Sequence, residues 1–135
     1  MIDIDIKFEI LSFNPMIEIV YNGELLYKGV AKDSFSFHKN TRFGLKENRN
    51  ILEIKRYGKD YKLHQSGDQD QAVIIKDIKL NGMTFPYITT HGEFVTDKNE
   101  TLKTNYLGHN GVYTFTFGHP VETWITNHMY TGMYN

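Results

Sequence analysis

The sequence contains no cysteine, no excess of charge of either sign and no long apolar run. Without cysteine, disulfides and thiolate metal sites are excluded. The net charge of −1 is spread along the chain, which leaves no basic patch of the kind that binds nucleic acid. No stretch approaches the roughly 20 apolar residues that a membrane-spanning helix needs. We therefore expect binding to neither nucleic acid nor membrane.

The first ten residues lack the basic start and the unbroken apolar run of a secretory signal. We therefore expect a protein that stays in the cytoplasm where it is made. Its 135 residues suit a single domain, which at that size buries roughly two thirds of its unfolded surface. We place that domain at residues 1–128. Residues 129–135, rich in Tyr, Met and Gly, are expected to form a tail without strong structure of its own.

Alternating apolar and polar residues are the main structural signal. Residues 2–10 alternate isoleucine or phenylalanine with charged side chains, which predicts a strand with one buried face whose charged face suits a sheet edge. Residues 72–75 are uniformly apolar and predict a strand buried on both faces. That strand ends at Asn81-Gly82, a favoured hairpin dipeptide, after which Met83 is expected to begin the return strand of a central hairpin.

Turn signals recur along the whole chain. Asn22-Gly23 and Asn110-Gly111 repeat the dipeptide found at Asn81-Gly82, and no segment shows a convincing amphipathic helix. We count about nine or ten short strands, the last at Glu122–Thr126 around Trp124. This spacing predicts an all-β fold, an antiparallel β-sandwich or jelly roll.

Motifs for catalysis are scarce. No serine lies in a Gly-x-Ser-x-Gly elbow, and no glycine-rich loop suits a phosphate. His91 and Glu93 have the spacing of two ligands in an iron triad, with His119 or His128 as a third ligand. However, no His-x-His pair exists, and no arginine follows Arg56 to bind a keto acid. We therefore do not expect an enzyme.

Acidic residues in loops suggest one metal. Asp68 and Asp70 precede the predicted central strand, and oxygen-rich loops of this kind can hold calcium. Asp97 and Glu100 are similar candidates. The ligand pattern of an EF-hand is absent, and the same acids would also keep a loop solvated. We expect no cofactor, with calcium at Asp68 and Asp70 as the open alternative.

Aromatic residues offer a candidate binding surface. Tyr106, His109, Tyr113 and Trp124 fall close together in the C-terminal third of the sequence. Exposed Trp and Tyr rings can stack on sugars or dock on another protein. The alternative is that Trp124, the only tryptophan, belongs to the core.

Two longer patterns resemble known groups of proteins. Residues 50–82, NILEIKRYGKDYKLHQSGDQDQAVIIKDIKLNG, resemble the later strands of small calcium-dependent carbohydrate-binding modules of the xylan-binding type. That resemblance implies a β-sandwich with acidic loop residues at the ligand edge, for which Asp68 and Asp70 are the candidates. Residues 106–125, YLGHNGVYTFTFGHPVETWI, look like C-terminal segments of structural proteins of marine tailed bacteriophages.

Three functions follow from these observations. We favour a non-enzymatic structural or recognition module of a phage virion, such as a capsid decoration, tail or fibre-associated protein. Its partners would be other virion proteins or copies of itself, and it would assemble in the host cytoplasm. The alternative is a carbohydrate-binding module that takes glycans, with or without calcium. The third is a small jelly-roll metalloenzyme.

Overall fold

The computed structural model describes residues 2–11, 14–41, 49–58 and 71–134, with side chains as far as His128. These ranges contain ten β-strands, a 3-10 helix at Ile88–Thr90 and one α-helix, α1, at Val121–Tyr134. The strands are β1 (Ile2–Leu11), β2 (Met16–Tyr21), β3 (Glu24–Val30), β4 (Phe35–Thr41), β5 (Asn50–Tyr57), β6 (Ala72–Leu80), β7 (Glu93–Thr96), β8 (Thr101–Leu102), β9 (Tyr106–Leu107) and β10 (Gly111–Phe117).

The strands form two antiparallel sheets. The four-stranded sheet has the order β4-β1-β6-β9, and the six-stranded sheet has the order β3-β2-β5-β10-β7-β8. Apolar side chains from both sheets share one buried core. The predicted all-β sandwich and its strand number are therefore confirmed, because period-two alternation reports directly on the two faces of each strand.

Strand β1 has the buried face that its alternation predicts, but it does not lie at a sheet edge. Ile2, Ile4, Ile6 and Phe8 are all buried, while Lys7 faces solvent. The strand nevertheless pairs with β4 on one side and β6 on the other. The predicted edge position is therefore wrong, since a charged outer face is compatible with hydrogen bonding along both edges.

Strand β6 lies inside the four-stranded sheet. Of residues 72–75, which were predicted to be buried on both faces, 72, 73 and 75 are fully buried and Ile74 is partly buried. Asn81 and Gly82 both have positive φ, at 52° and 75°. The predicted return strand is wrong, however. Only Met83 bridges back to Leu80, and the chain then enters the 3-10 helix, because β1 and β9 already flank β6.

The other two Asn-Gly dipeptides differ from each other. Asn22 and Gly23 have φ values of 47° and 84° and join β2 to β3 as predicted. Asn110 and Gly111 do not have positive φ, so the prediction of the same turn is wrong there. Gly111 instead serves close strand packing, since a Cβ at this position would collide with the carbonyl oxygen of Val95.

Helix α1 replaces the strand predicted at Glu122–Thr126. Val121 and Ile125 are four residues apart and both buried in the core, as expected for one face of a helix. Residues 129–134, predicted to be a tail without strong structure, continue this helix, while the domain limit at residue 128 stays a prediction. No helix in the described ranges is long and apolar enough to cross a membrane.

The antiparallel registers give the sandwich two distinct ends. At the end that we call the helix end, β1 and β5 begin, β6 and β10 finish, and α1 follows. At the opposite end, which we call the loop end, β2, β6 and β10 begin and β1 and β5 finish. The candidate binding residues distribute between these two ends.

Asn81 connects three elements at the helix end. The Asp3 amide donates to Asn81 Oδ1 at 2.9 Å, and the Asn81 amide donates to the Asp3 carbonyl at 2.8 Å. Asn81 Nδ2 donates to Glu122 Oε1 at 3.1 Å. One turn side chain therefore ties the start of β1 and the end of β6 to the first turn of α1.

We expect Asn81→Ala to lower the free energy of unfolding by about 1–3 kcal/mol, because it removes two side-chain hydrogen bonds and the residue type that best tolerates left-handed backbone. Asn99→Ala is the matched control, since Asn99 has φ 62° in an exposed turn. Urea titration of both variants measures the difference. Equal losses would show that backbone conformation alone matters at Asn81.

Candidate functional site

The structure separates the aromatic residues that the sequence places together. Tyr106 pairs with Ile74 near the start of β6, at the loop end. Trp124 lies in α1, two residues after Glu122, which bonds to Asn81 beyond the other end of β6. The intervening length of β6 corresponds to about 20 Å at the usual rise of a strand. Tyr106 and Trp124 therefore belong to different surfaces.

Tyr113 belongs to the core instead of a surface. Its side chain is fully buried, and its hydroxyl donates to the Thr89 carbonyl at 2.7 Å. Gly92 makes room for the ring, since a Cβ there would overlap the phenol. Burial raises the pKa of Tyr113 well above its usual value. A ring enclosed in this way offers no face to a ligand.

The loop end carries the other predicted residues. Tyr106 is 37% exposed, and His109 lies half-buried in the connection from β9 to β10. Asp97 is exposed in the turn after β7, where its amide donates to the Asn110 carbonyl at 2.8 Å. This end of the sandwich therefore carries an aromatic ring, an imidazole, a carboxylate and an amide.

Asp68 and Asp70 lie outside the described residues. The chain leaves the described part at Gly58, just after β5, and re-enters it at Gln71, just before β6. Both points are at the loop end. The described residues that flank Asp68 and Asp70 in the sequence, Gly58 and Gln71, therefore lie at the same end as Tyr106.

Within the described ranges, no group of three or more His, Asp or Glu residues is arranged to hold a metal ion. The iron triad of His91 and Glu93 with His119 or His128 is therefore wrong. Glu93 is exposed on β7, whereas the His91 ring lies against the His128 ring with centroids 4.9 Å apart. Asp97 and Glu100 are also not part of any such group among the described residues.

At the helix end, Trp124 packs into an aromatic cluster that the sequence did not predict. Its ring centroid lies 5.7 Å from Phe85, 5.8 Å from Phe115 and 6.2 Å from Phe117. The His128 ring lies closer, at 4.1 Å, and His128 Nδ1 is 2.9 Å from the Trp124 carbonyl oxygen. The half-buried indole therefore closes the space between the two sheets.

His91 joins this cluster from the turn after the 3-10 helix. Its ring lies 5.3 Å from Trp124 and 5.5 Å from Phe115, both in edge-on geometry. Burial lowers the pKa of His91 first, and the positive charges of His128 and Lys103 lower it further. The ring therefore stands in a partly dry and electropositive environment.

A cleft of about 240 Å³ opens beside this cluster. We call it the helix-end cleft, and its lining residues are Arg49, His91, Thr116, Phe117, Gly118 and Trp124. The sequence does contain a signal for the helix beside this cleft. The spacing of Val121, Trp124, Ile125 and His128 fits one face of a helix. The strand predicted at Glu122–Thr126 overlooks this spacing.

A larger groove of about 400 Å³ lies on the outer face of the four-stranded sheet. Several of its charged groups have partners: His38 lies 3.5 Å from Asp3 and 4.0 Å from Asp5, and Asp77 accepts from Thr84 at 3.3 Å. Among the described residues that line the groove, the aromatic one, Phe37, is buried. It has the character of a solvated sheet face.

Comparison with solved structures identifies a shared fold. A carbohydrate-binding module, vCBM60 in complex with galactobiose, superposes with a TM-score of 0.60 at 11% identity, over 84% of this chain and 96% of that one. A selenomethionine form of vCBM60, from work on two families of calcium-dependent carbohydrate-binding modules linked by circular permutation, gives 0.59 at 11% identity over 85% and 90%. No protein-family model and no curated protein matches the sequence.

We expect Trp124→Ala to lower the free energy of unfolding by about 3 kcal/mol, near the lower end of the range for aromatic truncations because the ring is only half-buried. Trp124→Phe should cost less, since it retains part of the contact with Phe85 and Phe115. Urea titration followed by circular dichroism measures both. A negligible loss in Trp124→Ala would contradict the packing described above.

We expect acidification to destabilise the protein partly through His91. Its pKa in the folded state is below the ordinary value of 6.5, so the unfolded chain binds the proton first and stability falls as the pH drops below about that value. His91→Phe removes this ionisation. Its unfolding free energy, measured from pH 7.5 to pH 5, should decline less steeply than that of the parent protein, and equal slopes would contradict the assignment.

Proposed function

We propose that this chain is a non-enzymatic carbohydrate-binding module that takes its glycan at the loop end. The observation that carries the proposal is the match of nearly the whole sandwich to vCBM60, whose structure was determined with galactobiose. Sandwiches present ligand-binding loops at their ends. The resemblance of residues 50–82 to such modules points to the same function independently of the fold.

The composition of the loop end supports this proposal. Sugar rings are bound by an aromatic face together with planar polar groups that satisfy the hydroxyls. Tyr106 supplies a partly exposed ring, and His109, Asp97 and Asn110 supply polar groups in the adjoining connections. Because these connections are fixed by β7, β9 and β10, the groups would be held in place before a ligand arrives.

Calcium would act at this same end. Carboxylate oxygens are the ligands that calcium prefers, and Asp68 and Asp70 lie between Gly58 and Gln71 in the sequence. Asp97 is a described carboxylate at this end, exposed in the turn after β7. Since no described group forms a metal site alone, we assign any calcium to a set that includes Asp68 and Asp70.

The virion role expected from the sequence stays a prediction. Both matched structures are carbohydrate-binding modules, so they support the glycan hypothesis and not a capsid or tail role. The two functions are compatible, since a surface module that binds glycans can belong to a larger assembly. Partners other than glycans are therefore not part of the proposal.

A glycan array tests the proposal directly. The full chain is screened with calcium and with a chelator, and we expect binding to neutral oligosaccharides that is lost on chelation. Asp68→Asn combined with Asp70→Asn should reproduce the effect of the chelator. Binding that survives chelation would remove calcium from the proposal, and a blank array under both conditions would remove the glycan.

Tyr106→Ala locates the site. Loss of one stacking ring, at about 1 kcal/mol, should weaken binding about fivefold. Tyr87→Ala is the matched control, since Tyr87 is 84% exposed and lies outside the loop end. Titration calorimetry with the best array ligand measures both variants. Equal effects of the two substitutions would place the glycan elsewhere.

A further inference from the structure

We propose that the helix-end cleft is a second ligand site, and that it binds a sugar residue bearing a carboxylate or a sulfate. This inference goes beyond the function proposed above, because the cleft lies at the opposite end of the sandwich from Tyr106. It stands on the shape of the cleft, on the charges around it and on the ring that lines it.

The cleft has the size and lining of a site for one small ring. Its volume of about 240 Å³ is just below the range of roughly 300–1,000 Å³ for drug-sized ligands. Trp124 and Phe117 give it an apolar wall, and Thr116 and the backbone of Gly118 give it hydrogen-bonding groups. Sugars combine apolar C–H faces with hydroxyls, and this lining offers a counterpart to each.

The walls of the cleft are fixed before any ligand binds. Trp124 is held by Phe85, Phe115 and His128. Gly118 passes so close that a Cβ there would lie 3.0 Å from Trp124 Cδ1. The indole therefore has little freedom to collapse into the cleft, and little ordering entropy remains to be lost on binding.

Among the described residues that line the cleft, the charged one is a cation, and two further positive groups act nearby. Arg49 lines it, and both Lys103 and His128 act on His91 as positive charges. In the part of the chain that the structure describes, neither Arg49 nor Lys103 has an ion-pair partner. Glu122, the acid in the first turn of α1, is engaged by Asn81. An anion would therefore complete this charge arrangement.

The chemistry selects an acidic sugar over a neutral one. A guanidinium presents parallel donors that match a carboxylate or a sulfate, and such charge-assisted bonds are about twice as strong as neutral ones. Trp124 beside Arg49 adds a surface on which the sugar ring can lie. A free inorganic anion would gain from Arg49 but not from the indole.

Titration calorimetry of the full chain with three probes tests this inference: digalacturonic acid, galactose 6-sulfate and neutral galactobiose. We expect at least one acidic probe to bind about tenfold more tightly than galactobiose under chelating conditions and low salt. The probe that binds identifies the anion as carboxylate or sulfate. Equal affinity for all three, or no binding of either acidic probe, would overturn the inference.

Arg49→Gln and Lys103→Gln identify the groups involved. Arg49→Gln should weaken the acidic probe about tenfold, as expected for loss of a charge-assisted hydrogen bond, and Lys103→Gln should weaken it less. Lys32→Gln is the matched control, since Lys32 is exposed in the turn between β3 and β4 at the loop end. An unchanged affinity in Arg49→Gln would overturn the inference.

Two further readouts separate this site from the loop end. Tyr106→Ala should leave binding of the acidic probe unchanged, even where it weakens the neutral glycan. In amide NMR spectra, the acidic probe should shift Gly118 and Thr116 and leave Asn110 unmoved. Shifts confined to the loop end would overturn the inference of a second site and leave the proposal of a glycan site at the loop end standing. A blank neutral-glycan array would overturn only the proposal for the loop end.

Discussion

The apolar space between the two sheets has to be closed where it meets solvent, and helix α1 closes one end of it. Val121 and Ile125 enter the core, and Trp124 covers the rings of Phe115 and Phe117. Without this closure, the inward faces of β10 and its neighbours would lie open to water at a considerable free-energy cost. The helix-end cleft is the space that remains beside Trp124 where α1 packs against β10.

Closure of one end leaves the other to the loops. Strands β5 and β7 finish, and β6 and β10 begin, at the loop end, so polar groups distant in sequence come together there. Loops tolerate change better than strands do, and binding groups therefore tend to concentrate on them. The sandwich therefore has one end that is closed by packing and one end where loops can present binding groups.

Local sequence patterns predicted the sandwich and the burial of β1 and β6, because alternation is a property of neighbouring residues. They did not predict that β1 is an interior strand, since edge pairing depends on partners elsewhere in the chain. The helix at Val121–Tyr134 was not predicted because the apolar pattern of Glu122–Thr126 is too short to separate a helix from a strand. It also follows Gly118 and Pro120 in a context of strands. Tyr106 and Trp124 were grouped by sequence proximity, whereas β10 runs the length of the sandwich between them.

The chain has one tryptophan among nine tyrosines and nine phenylalanines, and that tryptophan touches two imidazoles, His91 and His128. Selective excitation of the indole therefore observes the helix end alone. Protonated imidazoles quench indole emission efficiently, so the fluorescence intensity should report on protonation of the His91 ring, whose pKa is lowered by burial. Ligand binding near Tyr106, at the opposite end, would not change this emission. Tryptophan fluorescence therefore distinguishes changes at the helix end from changes at the loop end.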